Sequence, residues 1–205
     1  MKLLKQDFAK MKQQVRNISV HNKQKGKHGK AFERFLADYF CLPTYEQYNA
    51  EVDFPVEVVS QGNVPSNLIG DWEVKYYNKN NGQIALGDIE RKIQSIDKGL
   101  ILVIGFYDET PENLVDVKFY KITPNKQFLA MRKIWLDTCE YIKDRSNSID
   151  QTKEKCKKIN RLSKGAFSVC NTSRPERWSE TKQRWEAEAR QCSLQLNLRQ
   201  FAPMF

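Results

Sequence analysis

The sequence predicts an α+β fold (α/β in the broad sense) in which a central mixed β-sheet is flanked by helices. Three observations carry this expectation. Helical and alternating apolar periodicities interleave along the chain rather than segregating into blocks. The run Leu100 to Phe106, LILVIGF, is continuously apolar, as in a strand buried on both faces. The 205 residues fit one domain with an appended lobe, and 40% apolar content is adequate for a core.

The elements follow in order. Leu3, Leu4, Phe8, Met11 and Val15 are spaced for a helix over 3–17, and a polar basic segment runs from His21 to Lys30. From about Lys30 to Phe40, Ala31, Phe32, Phe35, Leu36, Tyr39 and Phe40 form one helical stripe, ended at Leu42-Pro43. Val52 to Val59 reads as a strand, Ser60 to Asn67 as turns around Gly62 and Pro65, and Leu68 to Tyr77 as the next strand. Asn78-Lys79-Asn80-Asn81-Gly82 is a loop signal. Ile84, Ile89, Ile93 and Ile96 predict a helix over 84–97, stopped by Gly99. The buried strand from Leu100 to Phe106 follows, then an alternating strand from Val115 to Ile122 and a long amphipathic helix over 125–143. Beyond it the sequence predicts a short helix over 149–160, a strand from Phe167 to Val169 and a helix over 178–191. Alternating Leu194, Leu196 and Leu198 read as a closing strand.

Charge divides the chain in the same way. The net charge of +9 is uneven: residues 1–30 carry nine Lys/Arg and one acid, residues 31–142 eleven basic and seventeen acidic groups, and residues 143–205 fourteen basic and seven acidic groups. Basic ends suit a polyanion, most often nucleic acid, because neutralising phosphates releases counterions. An acidic middle repels phosphate unless a cation lies between them. The expected organisation is a basic N-terminal helix and loop (1–28), an acidic core (29–143) and a basic lobe (144–205), packed with the core, to recognise nucleic acid. No apolar run approaches the roughly 20 residues that span a bilayer, and the charged N-terminal segment lacks the apolar stretch of a secretory signal. The five cysteines are widely spaced with no CxxC pair, and there are only two histidines. That pattern disfavours structural zinc and favours reduced thiols in a cytoplasmic protein.

The chemistry concentrates in Gly70-Asp71-Trp72-Glu73-Val74-Lys75-Tyr76-Tyr77. On a strand, Asp71, Glu73 and Lys75 project together while Trp72, Val74 and Tyr76 face a core. Two carboxylates beside an ammonium suit holding a divalent metal and positioning a water. Glu73 is the metal ligand in this reading, and Lys75 orients the attacking water and stabilises developing negative charge. If 53–59 and 68–75 pair antiparallel, Asp53 falls near Glu73 and Lys75 and becomes a second metal ligand. Asp71 competes for that role, with Glu57 and Glu51 behind it. Glu33 reaches the site if its helix packs beside the sheet.

This arrangement resembles the PD-(D/E)XK nuclease superfamily, and within it the type II restriction endonucleases, over about residues 29–107. Asp53 matches the family's acid at the start of the second strand, Glu73 with Lys75 its E-x-K on the third, and Glu33 the glutamate many members carry on the first helix. Two departures stand out: Asp53 follows Val52 rather than proline, and Asp71 is an additional acid. The resemblance implies a core of helix, three-stranded meander, helix and further strand. It also implies Mg²⁺-dependent hydrolysis of phosphodiester bonds in double-stranded DNA, catalysed by Asp53, Glu73, Lys75 and Glu33. A palindromic target would favour a homodimer.

Candidate DNA contacts lie at both ends and beside the catalytic strand. Lys27 and Lys30, with Lys23 and Lys25, are placed to clamp phosphate. Tyr76, Asn78, Lys79, Asn80 and Asn81 follow the catalytic strand, and Asn and Lys can read base edges. In the C-terminal lobe the candidates are Lys164, Arg174, Arg177 and Arg184. Trp178 and Trp185, seven apart on the expected helix, are read as core.

Overall fold

The computed structural model describes Gln13 and residues 27–43, 52–162, 165–179 and 184–204. The expected helix over 3–17 therefore lies outside the described residues, as do Lys23, Lys25, Glu51 and Lys164. The fold is α+β, and the chain divides into two compact units that interleave in sequence. The first comprises Met1–Gly82, Ser95–Thr123 and Phe201–Phe205, and the second Gln83–Gln94 and Pro124–Gln200.

The first unit is built on helix α1 (Lys27–Phe40) and a three-stranded mixed sheet of β1 (Asp71–Asn78), β3 (Leu100–Tyr107) and β4 (Leu114–Ile122). The order is β1-β3-β4, with β1 parallel to β3 and β3 antiparallel to β4. As its composition requires, β3 is central, and every residue from Leu100 to Phe106 is buried. The α1 stripe packs Phe32, Phe35, Leu36 and Phe40 into one cluster with Trp72 and Val74 of β1. Phe40 meets Trp72 edge-on at 5.3 Å between ring centroids, and the Trp72 indole N–H donates to the Leu68 carbonyl at 2.8 Å. Gly105 lets this packing close up: a Cβ there would lie 2.7 Å from Tyr76 and 2.9 Å from Phe32.

The strand expected from Val52 to Val59 does not form. Only Phe54 bridges to Trp72, after which α2 (Val56–Val59) makes a single helical turn. Pro55 explains the change. It lacks the N–H that a ladder needs and has the φ that opens a helix. The family's three-stranded meander is accordingly absent among the described residues. The helix expected over 84–97 is instead strand β2 (Gln83–Asp88) followed by α3 (Ile89–Lys98). Asp88 starts α3 by accepting the Arg91 N–H at 3.2 Å. The single central sheet is also corrected, because β2 joins a separate sheet in the second unit.

In that unit β2, β8 (Cys192–Asn197) and β5 (Phe167–Asn171) form an antiparallel sheet in the order β2-β8-β5. Helix α4 (Lys126–Lys143) buries Phe128, Trp135, Cys139 and Ile142, and α5 (Ile149–Leu162) buries Thr152, Cys156 and Ile159. Two side-chain amides tie the helices to β5. Gln127 bonds both the N–H and the carbonyl of Phe167, at 3.1 and 3.0 Å. Asn160 does the same for Val169, at 2.9 and 2.7 Å. The helix expected over 178–191 is replaced by a small hairpin, β6 (Arg177–Ser179) and β7 (Arg184–Glu186), pairing Trp178 with Trp185. Tryptophans seven apart suit a helix face, but they also suit a hairpin whose turn lies midway between them.

Candidate catalytic site

Strand parity delivers the expected faces of β1. Trp72 and Val74 enter the core, while Glu73 and Lys75 share the opposite side. The Lys75 ammonium lies 2.6 Å from Glu73 Oε1, and Glu73 is 3% exposed. Burial works against the Lys75 charge, but Glu73 and then Asp53 outweigh it, so the ammonium is held above the ordinary lysine value.

Asp53 reaches this pair without a full strand. Phe54 and Trp72 exchange both backbone hydrogen bonds, at 3.0 and 2.7 Å. An antiparallel bridge at 54 and 72 sets residue 53 opposite residue 73. Asp53 Oδ2 then accepts the Val74 N–H at 2.7 Å. Asp71 turns elsewhere, its Oδ1 accepting the Val56 N–H at 2.8 Å. Pro55 at the helix boundary has no capping side chain, so Asp71 supplies the cap for α2 from a different element.

Glu33, on α1, bonds the Lys30 ammonium at 2.7 Å. Burial pushes its carboxyl above the ordinary glutamate value. The Lys30 hydrogen bond opposes that rise, the neighbouring Asp53 carboxylate adds to it, and Lys75 pulls it down. Glu33, Asp53, Glu73 and Lys75 thus share one electrostatic neighbourhood. Among the described residues, no group of three or more His, Cys, Asp or Glu side chains is arranged to hold a metal ion. Asp53 and Glu73 are carboxylate oxygen donors, the ligand type Mg²⁺ takes, and that ion keeps several waters of its own.

The recognition candidates divide differently. Lys79 is ion-paired with Asp108 across the turn after β1. Asn78 is spent on that turn, its side chain accepting the Asn80 N–H at 3.0 Å and its carbonyl the Asn81 N–H at 2.9 Å. Lys30 is exposed but tethered to Glu33. Arg174 lies 3.3 Å from the buried Glu186 carboxylate, while its backbone bridges to Ala189. The side chains of Lys27, Arg177 and Arg184 lie outside the described residues. Tyr76 is a correction: its hydroxyl donates to the Pro111 carbonyl at 2.6 Å and its ring stacks on Tyr107, so it packs rather than reads a groove. Its parity with Trp72 and Val74 was the signal for this. The positioning role of Val74 had no sequence signal, because a backbone N–H carries none.

Among the described residues no helix is long and apolar enough to cross a membrane. Comparison with family models, curated proteins and solved structures finds no match to this chain.

Proposed function

We propose that the chain is a Mg²⁺-dependent endonuclease that hydrolyses phosphodiester bonds of double-stranded DNA in a sequence-specific manner, as type II restriction endonucleases of the PD-(D/E)XK superfamily do. One observation carries the reading: the Asp53 carboxylate is hydrogen-bonded to the backbone between Glu73 and Lys75. This juxtaposes the three residues that the sequence resemblance selects, although the strand expected to bring them together is replaced by a single bridge. The basic ends supply affinity for a polyanion.

Asp53 and Glu73 would hold the ion. When bound, Mg²⁺ neutralises the scissile phosphate, lowers the pKa of a coordinated water and stabilises the leaving 3′ oxygen. Lys75, kept charged by Glu73 and Asp53, orients the water and faces the charge that develops at phosphorus. Burial raises the Glu33 carboxyl above the ordinary glutamate value, and its ion pair with Lys30 opposes that rise. Cleavage at a palindromic site would require a homodimer with one such site per strand. The test is incubation of supercoiled plasmid with and without Mg²⁺. Discrete fragments that require Mg²⁺ are expected. A ladder dependent on DNA structure would point to a repair-type or phage nuclease, and retardation without cutting to a non-catalytic DNA-binding protein.

A further inference from the structure

The β5–β8 pair continues past the point where the three-stranded sheet stops. β2 accompanies β8 only from Asn197 to Ser193. Beyond it the two chain segments run on as a pair in one unbroken register. Phe167 faces Leu196, Asn171 faces Cys192, Arg174 faces Ala189, Arg177 faces Glu186 and Ser179 faces Arg184. Every step forward along the first segment is matched by one step back along the second, so the β6–β7 hairpin is the far end of the β5–β8 pair. Backbone bonds carry the join. The Thr172 N–H donates to the Gln191 carbonyl at 3.0 Å, and Arg174 and Ala189 exchange both bonds, at 2.9 and 3.0 Å. Pro175 removes a ladder donor without shifting the register. From Asn171 to Ser179 this two-stranded ribbon is about 26 Å long, at roughly 3.3 Å per residue.

Residues opposite one another in an antiparallel pair share a face. One face of this pair, with Phe167, Val169, Cys192, Leu194 and Leu196, is buried. Phe167 packs there on Phe128 and Trp135 of α4, at 5.1 and 6.0 Å between ring centroids. The other face has no buried residue from Ser168 to Glu176 or from Ala187 to Gln195. On the ribbon it sets Thr172 opposite Gln191 and, by the same register, Glu176 opposite Ala187, and these four are exposed. Arg174, the cation on this face, is held by Glu186 at 3.3 Å. What remains is a hydroxyl, an amide and a carboxylate set beside small alanines, a surface made for hydrogen bonding rather than for charge. Attraction for a polyanion comes from elsewhere in the same unit. Near its C-terminal end α5, tied to β5 through Asn160 and Val169, exposes Lys157, Lys158 and Arg161.

We propose that this ribbon, residues 172–179 and 184–191, is the element that reads DNA sequence, entering the major groove with its exposed face toward the base edges. The inference rests on the nuclease reading for its ligand. A major groove about 12 Å wide admits a two-stranded ribbon, whose strands lie roughly 4.8 Å apart. In the groove the Gln191 amide pairs with adenine, Glu176 accepts from the cytosine amino group, Thr172 serves either role, and Ala187 and Ala189 meet thymine methyls. Lys157, Lys158 and Arg161 add attraction to phosphate that is indifferent to sequence.

The test selects bound duplexes from a random DNA library in Ca²⁺, using the full chain as wild type, Gln191→Ala, Glu176→Ala and the double variant Lys158→Glu with Arg161→Glu. All four substituted side chains are exposed, so the variants keep the fold, which circular dichroism checks. Wild type should enrich one motif. Gln191→Ala and Glu176→Ala should each relax it at discrete positions, by about 5- to 150-fold in discrimination, and leave the other positions unchanged. The charge-reversed chain should bind every sequence more weakly and with a shallower salt dependence, yet enrich the same motif. An identical motif from the two ribbon variants, a uniform loss of affinity in them, or no motif from wild type would overturn the proposal. Plasmid cleavage by the same wild-type preparation in Mg²⁺ reports the nuclease reading separately. A ribbon-dependent motif without cleavage strikes the nuclease and keeps the ribbon, and cleavage with a motif indifferent to the ribbon does the reverse.

Discussion

Asp53 Oδ2 accepts the backbone N–H of Val74 at 2.7 Å, the residue between Glu73 and Lys75. That bond fixes Asp53 beside the ion pair by backbone register. Asp71, on the same strand as the pair, is drawn off to the N–H of Val56. The acid preferred from the sequence, Asp53, thus lies beside the Glu73–Lys75 pair, while its competitor Asp71 caps α2.

Asp71→Ala should leave Mg²⁺-dependent DNA cleavage within a few-fold of wild type. It should lower stability by about 1 kcal/mol, the usual cost of a lost cap. Urea unfolding read beside plasmid cleavage checks both parts. A loss of cleavage with unchanged stability would transfer the metal-ligand role from Asp53 to Asp71.

Lys75→Ala should reduce single-turnover cleavage by about 10²–10³-fold, the scale of removing one preorganised stabiliser of developing charge. DNA affinity in a gel-shift assay should change little. The variant should also unfold more readily, because Glu73 would remain buried without its ammonium. Replacing both members, with Glu73→Leu and Lys75→Met, should recover stability without recovering cleavage.

Glu33 should show an inverted pH signature. Its folded-state pKa is raised, chiefly by burial, so ionising it costs more in the folded chain than in the unfolded one. Its contribution is fully present below the unfolded-state pKa and is lost as pH rises through the folded value. Glu33→Gln should therefore be more stable than wild type at neutral pH. That advantage should shrink as pH falls through the range from the raised value to the ordinary glutamate value. Paired urea titrations at stepped pH measure it, and a difference that grows toward acid would refute the assignment.

Gly105→Ala should destabilise the first unit by about 1–3 kcal/mol through overpacking. The added Cβ would press on Tyr76 and Phe32 at 2.7 and 2.9 Å. Tyr76 neighbours Lys75 on β1, so cleavage should fall as well. Phe32→Leu in the same chain should relieve part of both effects.

Much of this was legible because single-element periodicity decided it. The α1 stripe, the apolar run of β3, the alternation of β4 and β8, and the amphipathic α4 each appear near their expected places. The misreadings occur where distant pairing or one backbone constraint overrode local pattern. Val56 to Val59 looks β-forming, yet Pro55 and the Asp71 cap make it a helical turn. Ile84 fits a helix with Ile89, but with Leu86 it also fits a strand, and pairing with β8 settled the matter. The Glu73–Lys75 pair followed from strand parity. The internal partners of Lys79 and Arg174 did not, because Asp108 and Glu186 approach them only through tertiary folding.

The most direct measurement is Mn²⁺ titration, with Mn²⁺ standing in for Mg²⁺ and the free ion followed by electron paramagnetic resonance, of wild type, Asp53→Asn, Glu73→Gln and Asp71→Asn. Saturable binding by wild type and Asp71→Asn, strongly weakened in Asp53→Asn and Glu73→Gln, is the expected result. Equal binding by all four chains, or loss only in Asp71→Asn, would contradict a metal site formed by Asp53 and Glu73.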